Sequence, residues 1–183
     1  MNDLTAEAVR LMTEANRARH EDRSADAHRD YAQAVALCRQ SGARRELIRA
    51  LKGLGQIERD LDRGSAALPL YQEAVAICRE EGDALLLAHT VRHLGDIHRD
   101  AGEAGLAEPC YDEALSIYRK HEQTEPLDLA NAIRPLAILK DDAGAVEEAK
   151  RLWAEARDLY AAANVREGVA ESSRRLARLE DRS

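Results

Sequence analysis

The side chains best able to do chemistry are a pair of histidines and a set of arginines. His89 and His93 are four residues apart, so on a helix both rings face one side. Asp96 follows three residues later, and Asp100 lies seven beyond His93. Such a set offers nitrogen and oxygen donors to zinc or a similar ion. Against this, no glutamate follows His89 directly and no third histidine aligns. Two histidines on a polar helix face meet the same spacing, so no metal and no cofactor are expected.

The cations repeat. Lys52, Arg92, Arg134 and Arg174 are 40, 42 and 40 residues apart, and Arg19, Arg59 and Arg99 are 40 apart. A guanidinium presents a planar donor fork that matches a carboxylate. The ligand's carboxylates compete for it with the chain's own, here Asp60, Asp100, Asp142, Glu58 and Asp96. Other apparent motifs dissolve. Gly53-Leu54-Gly55 lacks the third glycine and preceding strand of a dinucleotide loop. No nucleophile-elbow context is visible, so no catalytic residue is expected.

These groups sit on a chain of 183 residues with 45% hydrophobic and 33% charged residues, which excludes a disordered or membrane-embedded protein. Aromatics are only 3%, and the abundant Ala, Leu, Arg and Glu favour helices. A net charge of −7 argues against nucleic acid and anionic membranes as partners. Met1-Asn2-Asp3-Leu4 shows no basic region followed by an apolar stretch, so no secretory leader is expected. No apolar run is long enough to span a bilayer. Cys38, Cys78 and Cys110 are odd in number and lack metal-type spacing, which predicts reduced thiols in a cytoplasm.

Laid on itself, the chain repeats. Tyr31-Ala-Gln-Ala-Val-Ala-Leu-Cys38 matches Tyr71-Gln-Glu-Ala-Val-Ala-Ile-Cys78, Tyr111-Asp-Glu-Ala-Leu-Ser-Ile-Tyr118 and Trp153-Ala-Glu-Ala-Arg-Asp-Leu-Tyr160. A second word keeps the same register: Leu54-Gly55, Leu94-Gly95, Leu136-Ala137 and Leu176-Ala177. Each unit reads as two amphipathic helices. The expected helices are 3–20, 23–41, 43–60, 65–81, 83–101, 105–121, 126–143, 145–163 and 165–181. They group into units at 3–41, 43–81, 83–121 and 126–163 plus a closing helix at 165–181, in one domain over 1–183. Gly82 suits a helix end and Asp83 an N-cap. Pro135 falls inside a helix and predicts a kink. Pro69 and Pro109 fall near helix starts, where a missing N–H does less harm. Small residues recur where helices must touch: Gly55, Gly95, Ala137 and Ala177 on first helices, and Ala67, Ala107 and Ala149 on second.

The order Leu-Gly, Ala, aromatic, Ala resembles the tetratricopeptide repeat. The long unit and Ala67-Leu68-Pro69-Leu70-Tyr71 followed by Ala74 resemble the long-helix variety of kinesin light chains and many bacterial regulators. The resemblance implies an all-α superhelical solenoid of about four hairpins plus a closing helix. It departs in the first unit, where Glu14 replaces Leu and Arg17 replaces Ile57, Ile97, Leu139 and Leu179. That predicts either a rotated first helix or a polar terminal cap.

The resemblance also implies that first helices line a concave groove. The groove positions are then Asn16, Arg19 and His20; Arg49, Lys52, Gln56 and Arg59; His89, Arg92, His93, Asp96 and Arg99; Asn131, Arg134 and Ile138; and Arg174 and Arg178. His98 falls at a packing position, and Cys38 and Cys78 share the packing position of Tyr118 and Tyr160. The expected function is a non-catalytic protein-interaction scaffold holding a peptide or protein segment, acidic in character, in a basic groove. The alternative is a structural or regulatory module acting through self-association or contact with a catalytic domain. A metal enzyme at His89 and His93 stands third.

Overall fold

The computed structural model describes residues 3–181; the expected domain bounds run past these at both ends. Among the described residues the chain forms nine helices: α1 (Asp3–His20), α2 (Ser24–Ser41), α3 (Arg44–Asp60), α4 (Gly64–Glu81), α5 (Ala84–Asp100), α6 (Ala104–Lys120), α7 (Pro126–Asp142), α8 (Val146–Ala162) and α9 (Arg166–Glu180). Every boundary lies within one residue of its expected place.

The turns explain the agreement. Gly42 and Gly82 close α2 and α4 in the left-handed conformation, at φ +70° and +73°, where a Cβ would be strained. Asp83 then caps α5, its side chain accepting from the Leu86 N–H at 3.0 Å. The connection after α6 differs. It carries the two extra residues of the third unit and has Glu122 where its counterparts have glycine, and α6 ends on His121 in an extended conformation.

The prolines need a correction. Pro69 and Pro109 stand at the sixth position of α4 and α6, past the first turn, so each removes one intrahelical bond. The carbonyls freed, on Ser65 and Gly105, belong to exposed residues where water can donate to them. Helix α7 runs through buried Pro135 without interruption.

Consecutive helices pack as hairpins. Of the odd-numbered helices, α1 also touches α3, and α5 touches α7; no even-numbered pair comes as close, which makes the odd helices the inner layer. The repeated aromatics fill the space between layers: Tyr71, Tyr111 and Trp153 are essentially fully buried and Tyr31 is 7% exposed. A methyl on Gly55 would lie 2.6 Å from the Tyr71 ring, and one on Gly95 would lie 2.8 Å from the Tyr111 ring. In the first unit the equivalent residue is Ala15, and Tyr31 packs instead against Gly53 of the next unit, where a methyl would come within 2.1 Å of its ring.

Helix α1 is a polar cap and is not rotated. Ala15 keeps the buried register, while Glu14 and Arg17 are exposed and pair with Arg10 on the same helix and with Glu21 just past its end.

A row of ion pairs crosses the outer layer from unit to unit. Arg39 on α2 reaches Glu73 on α4 at 2.6 Å, Arg79 reaches Glu113 on α6 at 3.0 Å, and Arg119 reaches Glu155 on α8 at 2.9 Å. The apolar core itself is divided. One cluster centres on units one and two and another on units three and four, joined by a small group around Tyr71, Ala67 and Ile97.

Candidate functional site

Where the apolar core thins, polar side chains of the inner layer converge. Lys52 on α3 donates to Nδ1 of His89 on α5 at 2.9 Å. The rings of His89 and His93 lie 4.7 Å apart, and His93 also stands 5.9 Å from the Tyr71 ring. Nε2 of His93 accepts from Arg92 at 2.7 Å, which leaves Nδ1 to donate to Asp96 at 3.2 Å. Asp96 also accepts from the Tyr111 hydroxyl at 3.0 Å.

Burial and charge set the protonation states. Burial, with the charges of Arg92 and Arg49 adding to it, pushes the Lys52 pKa down to about 8. Burial, then Lys52, His93 and Arg92, pushes His89 down to about 2. His93 is lowered as well, mainly by burial. For Asp96 burial acts upward, but the His93 hydrogen bond and the charges of Arg92 and Arg99 outweigh it and hold the carboxylate ionised. Burial raises the Tyr71 and Tyr118 hydroxyls to about 12 each.

Two hollows open beside this chain of polar groups. The first, about 480 Å³, is bordered by Arg45, Arg49, Lys52, His89, Tyr118 and His121, among others. The second, about 220 Å³, lies between α3, α5 and α7 and is walled by Arg59, Arg92, Asp96, Arg99, Asn131 and Arg134. Most of the expected groove residues meet here. Gln56 borders the second set, its Oε1 accepting from Arg59 at 3.5 Å, and donates to Asp60 at 2.8 Å. Asn16 and His20 are exposed on α1, away from both hollows. Ile138 packs against the core of the last two units. Arg174 and Arg178 line a separate hollow on α9 with Glu167 and Glu171.

Several of the cations already have carboxylate partners. Arg19 bonds Asp60 at 2.6 Å and Arg59 bonds Asp100 at 2.7 Å, two rungs of the same kind between successive inner helices. Arg99 has no such rung to α7 and turns to Asp100 of its own helix at 2.7 Å. Arg134 holds Glu171 through two nitrogens at 2.7 and 2.9 Å, and Arg178 holds Asp141 at 2.5 Å. Lys52 and Arg92 differ: the hydrogen bond of Lys52 and the shortest one of Arg92 go to neutral histidines. Because Arg92 is 14% exposed and Arg134 40%, these are structural as well as surface charges.

The histidine pair is poorly placed to hold a cation. His89 Nδ1 and both nitrogens of His93 are engaged, two of the three with cationic donors. Among the described residues no three His, Cys, Asp or Glu side chains are grouped to hold an ion. His98 is 9% exposed and bonds Glu103 at 2.7 Å, as a packed ring. Cys38 and Cys78 are fully buried, and burial raises both thiols.

Sequence reasoning missed Tyr118 and Tyr160. Both take the packing position of Cys38 and Cys78, and both are larger and carry a hydroxyl. Tyr160 donates to Asn131 Oδ1 at 3.0 Å, so an outer-layer residue fixes an inner-layer amide. The exchange of thiol for tyrosine at one repeat position was the available signal.

The arrangement defines an α-helical repeat solenoid whose inner layer carries a polar, largely cationic face. Residues 46–120 match the family model described as Tetratricopeptide repeat. Among solved structures the fold is similar to the nearly identical TPR-like repeats from Podosopora anserina assigned to kinesin light chain, with a TM-score of 0.81 at 17% identity over 99% of this chain and 88% of that one. It is similar to the apo form of RapI, with a TM-score of 0.84 at 15% identity over 94% of this chain and 62% of that one. It is also similar to aspartyl phosphate phosphatase F from Bacillus subtilis, with a TM-score of 0.84 at 14% identity, covering 94% of this chain and 45% of that one. The chain thus spans less than two thirds of RapI and less than half of the phosphatase. At these identities the likeness establishes the fold. A search of curated protein sequences finds no match. Among the described residues no helix is long and apolar enough to cross a membrane.

Proposed function

We propose that the protein is a non-catalytic interaction scaffold that holds an acidic peptide or protein segment along its inner layer. The observation that carries this reading is the segregation of charge. In a chain of net charge −7, two hollows of the inner layer are lined by seven cations, Arg49, Lys52, Arg92, Arg99 and Arg134 among them, against three carboxylates, Asp83, Asp96 and Asp128. Positive potential in a partly desolvated cleft attracts and orients an anionic partner. The tetratricopeptide fold supports a protein as that partner, since such arrays present extended inner surfaces. RapI and kinesin light chain repeats share the architecture. Nucleic acid and membrane are not part of the proposal. The three free cysteines favour a reducing, cytoplasmic setting, and the likeness to RapI favours a bacterial-type regulator.

Binding of fluorescein-labelled octapeptide pools, followed by anisotropy, tests the reading. A Glu-rich pool should bind more tightly than neutral and Lys-rich pools. Its affinity should fall as salt rises from about 50 to 300 mM, because screening shortens the reach of exposed charges to under 10 Å. Neutral replacement is the right probe. Reversing Lys52, Arg92 and Arg134 to Glu would place carboxylates against Asp96 and Glu171 and damage the fold. Arg49→Gln with Arg92→Gln should weaken the Glu-rich pool while helicity is kept. Equal binding of all pools would move the interaction surface to the outer layer or the array ends, where self-association or a catalytic-domain contact becomes the better account.

A further inference from the structure

We propose that the smaller hollow, the cup between α3, α5 and α7, receives the phosphoryl group of a phosphorylated segment. This rests on the inner layer being the docking face and names the group that docks there.

The donors in the cup outnumber their acceptors. Arg59, Arg92 and Arg99 each direct an Nη1 towards Asp96, at 4.0, 3.5 and 3.6 Å respectively. These separations lie at or beyond the limit of a hydrogen bond, so one carboxylate is surrounded by three guanidiniums without saturating them. Arg59 Nε is buried and has no hydrogen-bond partner among the described residues. A buried donor left unpaired costs free energy that a bound acceptor would recover. Arg134 and Asn131 close the cup from α7. Asn131 is held through its Oδ1 by Tyr160, which leaves the amide nitrogen for a ligand.

Donor number and shape choose the group. The four arginines of the cup face three carboxylates, Asp96, Asp100 and Glu171, which leaves a charge of +1 and guanidinium nitrogens that the carboxylates do not saturate. A phosphoryl group carries about −1.5 to −2 at neutral pH and three strong acceptor oxygens. Its tetrahedral oxygens can take donors arriving separately from three helices. A carboxylate presents one planar edge, which a single guanidinium fork satisfies, and carries half the charge. The repeat shows why the cup is here. Inner rungs join Arg19 to Asp60 and Arg59 to Asp100, but the next rung is missing and Arg99 is left beside the hollow.

Anisotropy with three labelled octapeptide pools, degenerate except for a central phosphoserine, glutamate or serine, tests the assignment. Unlabelled inorganic phosphate serves as competitor. The phosphoserine pool should bind at least about ten-fold more tightly than the glutamate pool, the difference expected of about 1.4 kcal/mol of extra charge-assisted bonding. Millimolar inorganic phosphate should displace it. Arg99→Gln should remove most of that advantage, and Arg92→Lys, which keeps the charge and loses the fork, should remove part of it, each variant being checked for wild-type helicity. Equal affinity of the phosphoserine and glutamate pools overturns the phosphoryl assignment and leaves the acidic-segment reading standing. No binding of either pool overturns both. Inorganic phosphate binding as tightly as the phosphoserine pool assigns the cup to the free anion and overturns a segment as its source. An unchanged phosphoserine advantage in both arginine variants overturns the location.

Discussion

At the scale of single residues, burial in the inner layer disfavours the charged forms of His89, His93 and Lys52, and the two histidines stay neutral. His89 is pushed down to about 2 and sits beside Lys52, His93 and Arg92. Below pH 6.5 the unfolded chain takes up a proton at this histidine that the native state refuses. Stability therefore falls as pH drops through 6.5, by about 1.4 kcal/mol per unit for one such group. Between pH 7 and 5 the loss should be about 2 kcal/mol. His89→Gln, which cannot titrate, should narrow the difference in urea stability between those two pH values by about that amount. An unchanged difference would mean that His89 accepts a proton in the folded protein. Lys52 acts at the other end of the scale. Its folded pKa of about 8 lies below its ordinary 10.5, so its burial costs most below pH 8 and is relieved as pH rises towards 10.5. The i, i+4 spacing of His89 and His93 was legible in the sequence, but their environment was not. Which side chains desolvate Lys52 depends on a neighbouring helix about forty residues away in sequence.

At the scale of helices, the legible part is what repeats. Apolar period and turn residues placed nine helices within a residue, because each end is set locally by Gly42, Gly82, Asp83 or their counterparts. The small residues of the first helices were legible as contact points, and the structure gives them a magnitude. Gly55→Ala would set a methyl 2.6 Å from the rigid ring of Tyr71. The ring cannot yield without moving α4, so the variant should lose about 1–3 kcal/mol, as overpacked cores do. Denaturant unfolding measures this, and a loss below about 0.5 kcal/mol would show that the two helices separate freely at this point. That Ala15 carries a methyl at the equivalent position is no contradiction, since Tyr31 leans on Gly53 instead. The inner arginines have Asp60 and Asp100 as partners readable in the sequence, but the ion pairs of the outer layer were not legible. The many Glu and Arg residues there read as a solvated surface, and the pattern within one helix says nothing of a partner 34 to 36 residues on. Exposed pairs of this kind each contribute at most about 1 kcal/mol, so they act on alignment more than on stability.

At the scale of the whole molecule, the divided core separates two halves joined by polar contacts and the small cluster around Tyr71. Arrays hold together by nearest-neighbour interfaces, and the interface between units two and three contains half-buried Lys52 and His89 and buried Asp96 among its side chains. Amide exchange should therefore be fastest, among buried helical segments, where α4 meets α5, with slower exchange inside α2–α3 and α7–α8. Uniform protection along the array would show that the polar junction is as strong as the apolar ones. The row of arginines and glutamates on the outer layer carries a different implication, one about lineage. Each rung joins an Arg of one unit to a Glu of the next, and Arg39, Arg79 and Arg119 recur at a constant 40-residue step. A duplicated copy of 42–81 inserted behind the original would find a glutamate waiting for its arginine and an arginine waiting for its glutamate. The outer row can thus gain or lose a whole unit without leaving one of its own charges unmatched at the seam, and the number of units along it is one frame in a series that the same surface would accept.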